Sequence, residues 1–173
     1  MFEAAKYSAV ELLRDGRQIE IRALRPEDQA DLVEAVHRAS AQSLYRRFFG
    51  VRRNFSEKEI KFFLNVDFVN HVALVAVAQE GGRAVIVGGG RYVVVRPGIA
   101  EVAFAVIDEY QGQSIGAALL RHLVVIARDA QLKELIAEVL PDNTPMLKVF
   151  EKSGLHLDTK REAGVVHVAL QLF

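Results

Sequence analysis

Residues 108–120 read DEYQGQSIGAALL, and their reading decides how the rest of the chain must fold. Upstream, AEVAFAVID is an apolar run of strand length; downstream, apolar residues at 115, 119, 120, 123, 124, 126 and 127 recur at helical spacing. Gln111, Gly112, Ser114 and Gly116 therefore fall where a strand gives way to a helix. The first N–H groups of such a helix lack intrahelical acceptors and converge on one spot, which suits a phosphate. A plain connector would use the same residues, so the turn alone leaves both readings open.

Working outward, LKELIAEVL reads as a strand after the helix. It is stopped by Pro141-Asp142-Asn143, with Asn143 placed to cap a helix over TPMLKVFEKS. Gly154 ends that helix, and LHLDT and GVVHVALQLF read as two closing strands. Before the decisive stretch, HVALVAVAQ and AVIVGGGRYVVV are strands joined by the turn EGGR, and antiparallel pairing is their simplest connection. Gly88 to Gly90 would weaken a regular strand, which points to a bulge, a close approach by another backbone, or a kink around the core. Arg96-Pro97-Gly98 turns the chain into the next strand.

The first third begins with strands VELL and IEIRAL around Arg14-Asp15-Gly16-Arg17, a hairpin at about residues 9–24. Helices follow over PEDQADLVEAVHRAS, AQSLYRRFFG and EKEIKFFLNV, the last opened by a Ser56/Glu59 capping box. The order β-β-α-α-β-β-β-α-β-α-β-β mixes hairpins with strand–helix–strand units. The expected fold is α+β, a central mixed, mostly antiparallel sheet flanked by helices.

A length of 173 residues, 51% apolar and 25% charged, suits one soluble domain spanning 1–173. Zero formal net charge supplies no global field toward nucleic acid or an anionic membrane, and neither is expected as a partner. The absence of cysteine excludes disulfides, thiolate metal sites and a Cys nucleophile. With no signal-like N-terminus and no long uncharged apolar run, the expected location is cytoplasmic. His71, His122 and His167 stand alone without ligand spacing, so no metal is expected. Arg46, Arg47, Arg52 and Arg53 flank Phe48-Phe49, which read either as a solvated helix face or as a basic, aromatic surface for a protein substrate.

AEVAFAVIDEYQGQSIGAALL followed by VLPDNTPMLKVFEKSGL resembles the GNAT N-acetyltransferase superfamily. The DGRQIEIRALRPED, SLYRRFFG and AEVAFAV segments look most like the domains of bacterial protein lysine acetyltransferases. The family's turn motif is Gln or Arg, two residues, Gly, any residue, then Gly or Ala. Gln111, Ser114 and Gly116 occupy those positions, with Ser114 departing at the middle glycine. The resemblance implies acetyl-CoA as co-substrate, its phosphates held at Gln111, Gly112, Gln113, Ser114, Ile115 and Gly116. It further implies that the pantetheine arm pairs with Phe104, Ala105 and Val106, that Asn143 contacts the arm, and that Glu101 is the general base. On a strand, Glu101 shares a face with the small Ala103 and Ala105, which leaves room for an acceptor. Phe150 stands where many members keep a Tyr that protonates the leaving thiolate. A lysine of a protein is the leading acceptor, beside a small-molecule amine or a non-catalytic acyl-CoA-sensing role. A homodimer is a further expectation, drawn from exposed strand edges.

Overall fold

The computed structural model describes residues 3–39 and 56–173. Its strands are β1 (Ser8–Leu12), β2 (Gln18–Ala23), β3 (His71–Glu80), β4 (Arg83–Arg96), β5 (Ile99–Val106), β6 (Glu134–Val139), β7 (His156–Glu162) and β8 (Val165–Gln171). The helices are α1 (Gln29–Arg38), α2 (Glu57–Leu64), α3 (Ile115–Asp129) and α4 (Thr144–Glu151). One sheet runs β1-β2-β3-β4-β5-β6-β8-β7, and of these neighbours β5 and β6 alone pair in parallel. The expected mixed, mostly antiparallel sheet with flanking helices is the architecture found. Among the described residues no helix is long and apolar enough to cross a membrane.

Local signals place the elements. Gly16, at φ 90°, turns the β1–β2 hairpin, and Leu13 N–H closes it on the Arg17 carbonyl at 2.7 Å. Ser56 and Glu59 form the expected reciprocal box, each accepting from the other's backbone N–H at 3.2 Å. The helix expected from Pro26 instead opens as a 3₁₀ turn over Pro26–Asp28, and α1 starts at Gln29. The Asp28 carboxylate explains the tighter turn, since it accepts from Arg25 N–H at 2.7 Å and from Arg22 at 2.8 and 2.9 Å. The helix expected over 41–50, with its arginines and Phe48-Phe49, lies outside the described residues.

The glycine run positions β5. Pairing of β3 with β4 shifts register between Ala76 and Val77, so a bulge interrupts the ladder just before Gly88. A Cβ on Gly88 would stand 3.1 Å from the Ala105 carbonyl oxygen and one on Gly89 3.3 Å from that of Leu74, the expected close approach by backbone, while a Cβ on Gly90 would stand 2.7 Å from the Phe104 ring and 3.2 Å from the Leu123 side chain. Phe104 is thereby sunk beneath α3. That helix buries Ile115, Leu119, Leu120, Leu123, Val124, Ile126 and Ala127, the stripe read from its periodicity, together with Ala118.

Candidate active site

The site begins where two parallel strands separate. β5 and β6 pair only through Ile99, Ala100 and Glu101 against Glu134, Leu135 and Ile136. Beyond Glu101 they diverge, and a cleft of about 530 Å³ opens between Val102–Val106 on one side and Ala137–Val139 on the other. Ile107 N–H donates to the Val87 carbonyl at 2.9 Å, which fixes the alternation along β5. Ala105 turns its main chain to β4, whereas Phe104 and Val106 turn theirs toward the cleft. Of the three residues expected to meet the arm, Phe104 and Val106 therefore direct main-chain groups toward the cleft and Ala105 does not. Ala105 offers the cleft a methyl group, because its amide groups lie on the β4 side. Gln111 Nε2–H already donates to the Val106 carbonyl at 3.0 Å, which leaves that residue's N–H as its open group toward the cleft.

At the far end of the cleft the chain reverses through Gly112, at φ 78°, and Ser114, at φ 73°. Ser114 adopts the left-handed conformation that glycine takes freely, at a conformational cost. Its hydroxyl caps nothing, and the first amides of α3 at Ile115, Gly116 and Ala117 have no intrahelical acceptor. Gln111, Gly112, Ser114, Ile115 and Gly116 all line the cleft. The Gln113 side chain does not.

Asn143 supplies the opposite wall. Its Oδ1 accepts from Met146 N–H at 3.4 Å, which caps α4, while the residue also lines the cleft. Capping occupies the carbonyl oxygen and leaves the amide N–H₂ group available to a ligand. Phe150 is buried and packs against Phe104 at 6.2 Å between centroids, so an apolar ring with no proton to give occupies that wall. Three cations that the motif reading did not include also line the cleft: Arg14, Lys148 and Lys152. Lys148 and Lys152, after Asn143, lie four residues apart, a spacing that is legible in the sequence. Arg14 carries no local signal, since only the tertiary fold brings its hairpin here.

The segment ahead of the turn is braced from outside the cleft. Tyr110 is buried and donates its hydroxyl to Glu80 at 2.7 Å, and burial first, then this carboxylate, raises the phenol's pKa. Arg38 ties Glu80 to Glu109, and both carboxylates raise the pKa of its guanidinium.

Glu101 sits at the point of separation, flanked in register by Val93 on β4 and Ile136 on β6. It is exposed, and its carboxylate makes no ion pair or hydrogen bond among the described residues. Along β5, Val102 and Phe104 are buried under the helices while Glu101 and Ala105 are exposed and Ala103 is partly so. The shared face expected for Glu101, Ala103 and Ala105 is therefore present, and it is the face opposite α3. On that face Arg91 is paired in register with Ala103 and donates to the Phe63 carbonyl at 3.0 Å and to His71 Nε2 at 2.8 Å. His122 bridges Tyr7 and Glu11, and His167 lies 3.7 Å from Glu138. Among the described residues no three potential ligands converge on a metal.

Residues 38–155 match the acetyltransferase (GNAT) family. The chain belongs to that family. Over 158 residues it is 32% identical to acetyltransferase Pat of Mycolicibacterium smegmatis, covering 89% of this chain and 46% of that protein. Over 120 residues it is 35% identical to acetyltransferase PA5475 of Pseudomonas aeruginosa, covering 69% of this chain and 64% of that one. The chain thus spans about half the length of the first relative. Among solved structures, the GNAT domain of S. lividans PAT superposes with a TM-score of 0.86 at 34% identity, covering 95% of this chain and 96% of that one. As a GNAT acetyltransferase, the chain presents the β5–β6 separation and the turn before α3 as parts of one continuous cleft.

Proposed function

We propose that this GNAT chain transfers the acetyl group of acetyl-CoA to an amine by direct attack, with a lysine side chain of a protein as the leading acceptor. The observation that carries the reading is the position of Glu101, without a side-chain partner among the described residues, at the mouth of the separation whose other end is an uncapped helix start. A thioester lying along Phe104 and Val106 would have its diphosphate at Gln111–Gly116 and its acetyl group near Glu101. Main-chain groups of a strand can hold such an arm as an added strand does.

A lysine ammonium, with a reference pKa of about 10.4, must lose a proton before it attacks. Glu101 takes that proton, the neutral nitrogen adds to the thioester carbonyl, the adduct's cationic nitrogen gives its second proton to water, and the carbon–sulfur bond breaks to release the amide and CoA thiolate. Phe150 cannot protonate the thiolate, so its proton comes from water. The open face around Ala103 and Ala105 supports access for a side chain carried on a polypeptide. Phe150 and Ser114 also favour a second reading, an acyl-CoA sensor that binds without turnover.

A free-thiol release assay with acetyl-CoA and lysine peptides separates the two. Glu101→Gln is expected to retain acetyl-CoA binding while turnover falls by roughly 10²–10⁴. Unchanged turnover would remove Glu101 from the mechanism, and binding without any thiol release in the parent protein would favour the sensor.

A further inference from the structure

We propose that Arg14, at the tip of the β1–β2 hairpin, is a binding residue for the diphosphate of the donor, so that the N-terminal hairpin forms part of the nucleotide site. The inference rests on the acetyl-CoA reading above and goes beyond it, because the hairpin lies outside residues 38–155, which match the family.

Arg14 lines the same cleft as Tyr110, Gln111 and Gly112, the residues that lead into the uncapped start of α3. Its tip is held there by its neighbours. The Asp15 carboxylate accepts from Arg17 N–H at 3.0 Å and from Arg17 Nε–H at 2.7 Å. The Arg17 guanidinium lies 4.6 Å from the centroid of the Tyr110 ring, and Tyr110 is in turn tied to Glu80. Arg17 thus has its charge matched by Asp15 and works as an anchor. Arg14 is exposed and has no acidic partner among the described residues.

An exposed arginine with no acidic partner among the described residues, lining the same cleft as a set of open amides, suits a phosphate anion. The amides alone favour negative charge only weakly at an exposed helix start. A guanidinium adds a full charge and a planar fork that meets two phosphate oxygens at once, a match that an ammonium cannot reproduce. Lys148 and Lys152, also without acidic partners among the described residues, bring positive charge to the same cleft from α4. A ligand carrying several phosphates is the chemistry that uses cations arriving from two separate elements.

The test is isothermal titration of the full chain with acetyl-CoA, without acceptor, for the parent protein, Arg14→Gln and Arg14→Lys. Each is repeated with the donor lacking its 3′-phosphate and at raised NaCl, and thermal unfolding confirms that every variant is folded. Arg14→Gln is expected to raise Kd about 5- to 30-fold with both donors. Arg14→Lys should fall between the two, and the difference should shrink with salt. Parent-like binding by Arg14→Gln would overturn the proposal, and a loss seen only with the 3′-phosphorylated donor would overturn the diphosphate assignment. No binding by the parent protein would instead remove the acetyl-CoA reading and this proposal with it.

Discussion

The two helices that meet at the cleft begin in opposite ways. α4 closes its own start: Asn143 Oδ1 takes the Met146 N–H, the Asn143 carbonyl accepts from Leu147 N–H at 3.2 Å, and Pro145 has no N–H to satisfy. α3 begins at a left-handed Ser114 whose side chain caps nothing. Open donors at a helix start are a stability cost that capping would relieve. The chain relieves it at α4 and at α2, and leaves it standing at the turn that faces the cleft, as it does at α1, whose N-cap Asp28 makes no side-chain cap. The contrast teaches that, of the two helix starts at the cleft, α4 satisfies its first donors internally while α3 keeps its own open toward the cleft.

The Asp67–His71–Arg91 corner marks the closed extreme, and breaking it should have the largest effect. Asp67 accepts from the N–H groups of Val69, Asn70 and His71 at 2.8–2.9 Å. Arg91 can only donate, so His71 must accept through Nε2 as a neutral imidazole. Burial first, then the Arg91 charge, pushes the His71 pKa down from 6.5 to about 4, against a smaller opposing effect of Asp67. The native state therefore refuses a proton that the unfolded chain accepts. This contribution to stability is complete above pH 6.5, declines as pH falls toward 4, and is lost below that. The loss should amount to ~2–3 kcal/mol. Urea unfolding of the parent protein and His71→Gln at neutral and acid pH measures it: the variant should lose less on acidification, and equal losses would contradict the closed corner.

The open side answers to ligand. If the amides of Ile115, Gly116 and Ala117 are reserved for phosphate, acetyl-CoA at about a hundred times its Kd should stabilise the fold by ~2.7 kcal/mol. Hydrogen exchange should slow at those three amides while Met146, already bonded to Asn143, changes little. Equal protection at both helix starts would erase the distinction between them.

Much of this arrangement was legible in the sequence because its signals are local. The strand-to-helix change at residues 106–115, the Asn143 cap and the Ser56/Glu59 box each depend on a few adjacent residues, and each appears where the pattern places it. Phe104 and Val106 were readable as cleft residues, but which of the two neighbouring strands receives the amides of Ala105 depends on pairing across the sheet. The same limit hid Arg14, since nothing in Arg14-Asp15-Gly16-Arg17 indicates that the hairpin tip will rest against Tyr110. The Gly88–Gly90 run announced crowding without saying by which residues, and the answer, the carbonyls of Ala105 and Leu74 and the Phe104 ring, comes from the two neighbouring strands. Local chemistry was visible, and convergence of distant segments was not.

The smallest effects test the two helix starts most directly, because the same substitution should act in opposite directions. Asn143→Ala removes a working cap and should destabilise by ~1 kcal/mol. Ser114→Ala removes a side chain that caps nothing and should change stability by less than ~0.5 kcal/mol. Ser114→Gly should stabilise by ~0.5–1 kcal/mol, since relief of a left-handed serine exceeds the added freedom of glycine in the unfolded chain. Asn143→Gly has no such relief to gain, its φ being −82°, and should destabilise by a few tenths of a kcal/mol. Denaturant midpoints for the four variants decide the matter. If glycine lowered stability at 114 as it does at 143, Ser114 would have to be serving as a cap after all, and the open start of α3 would be closed.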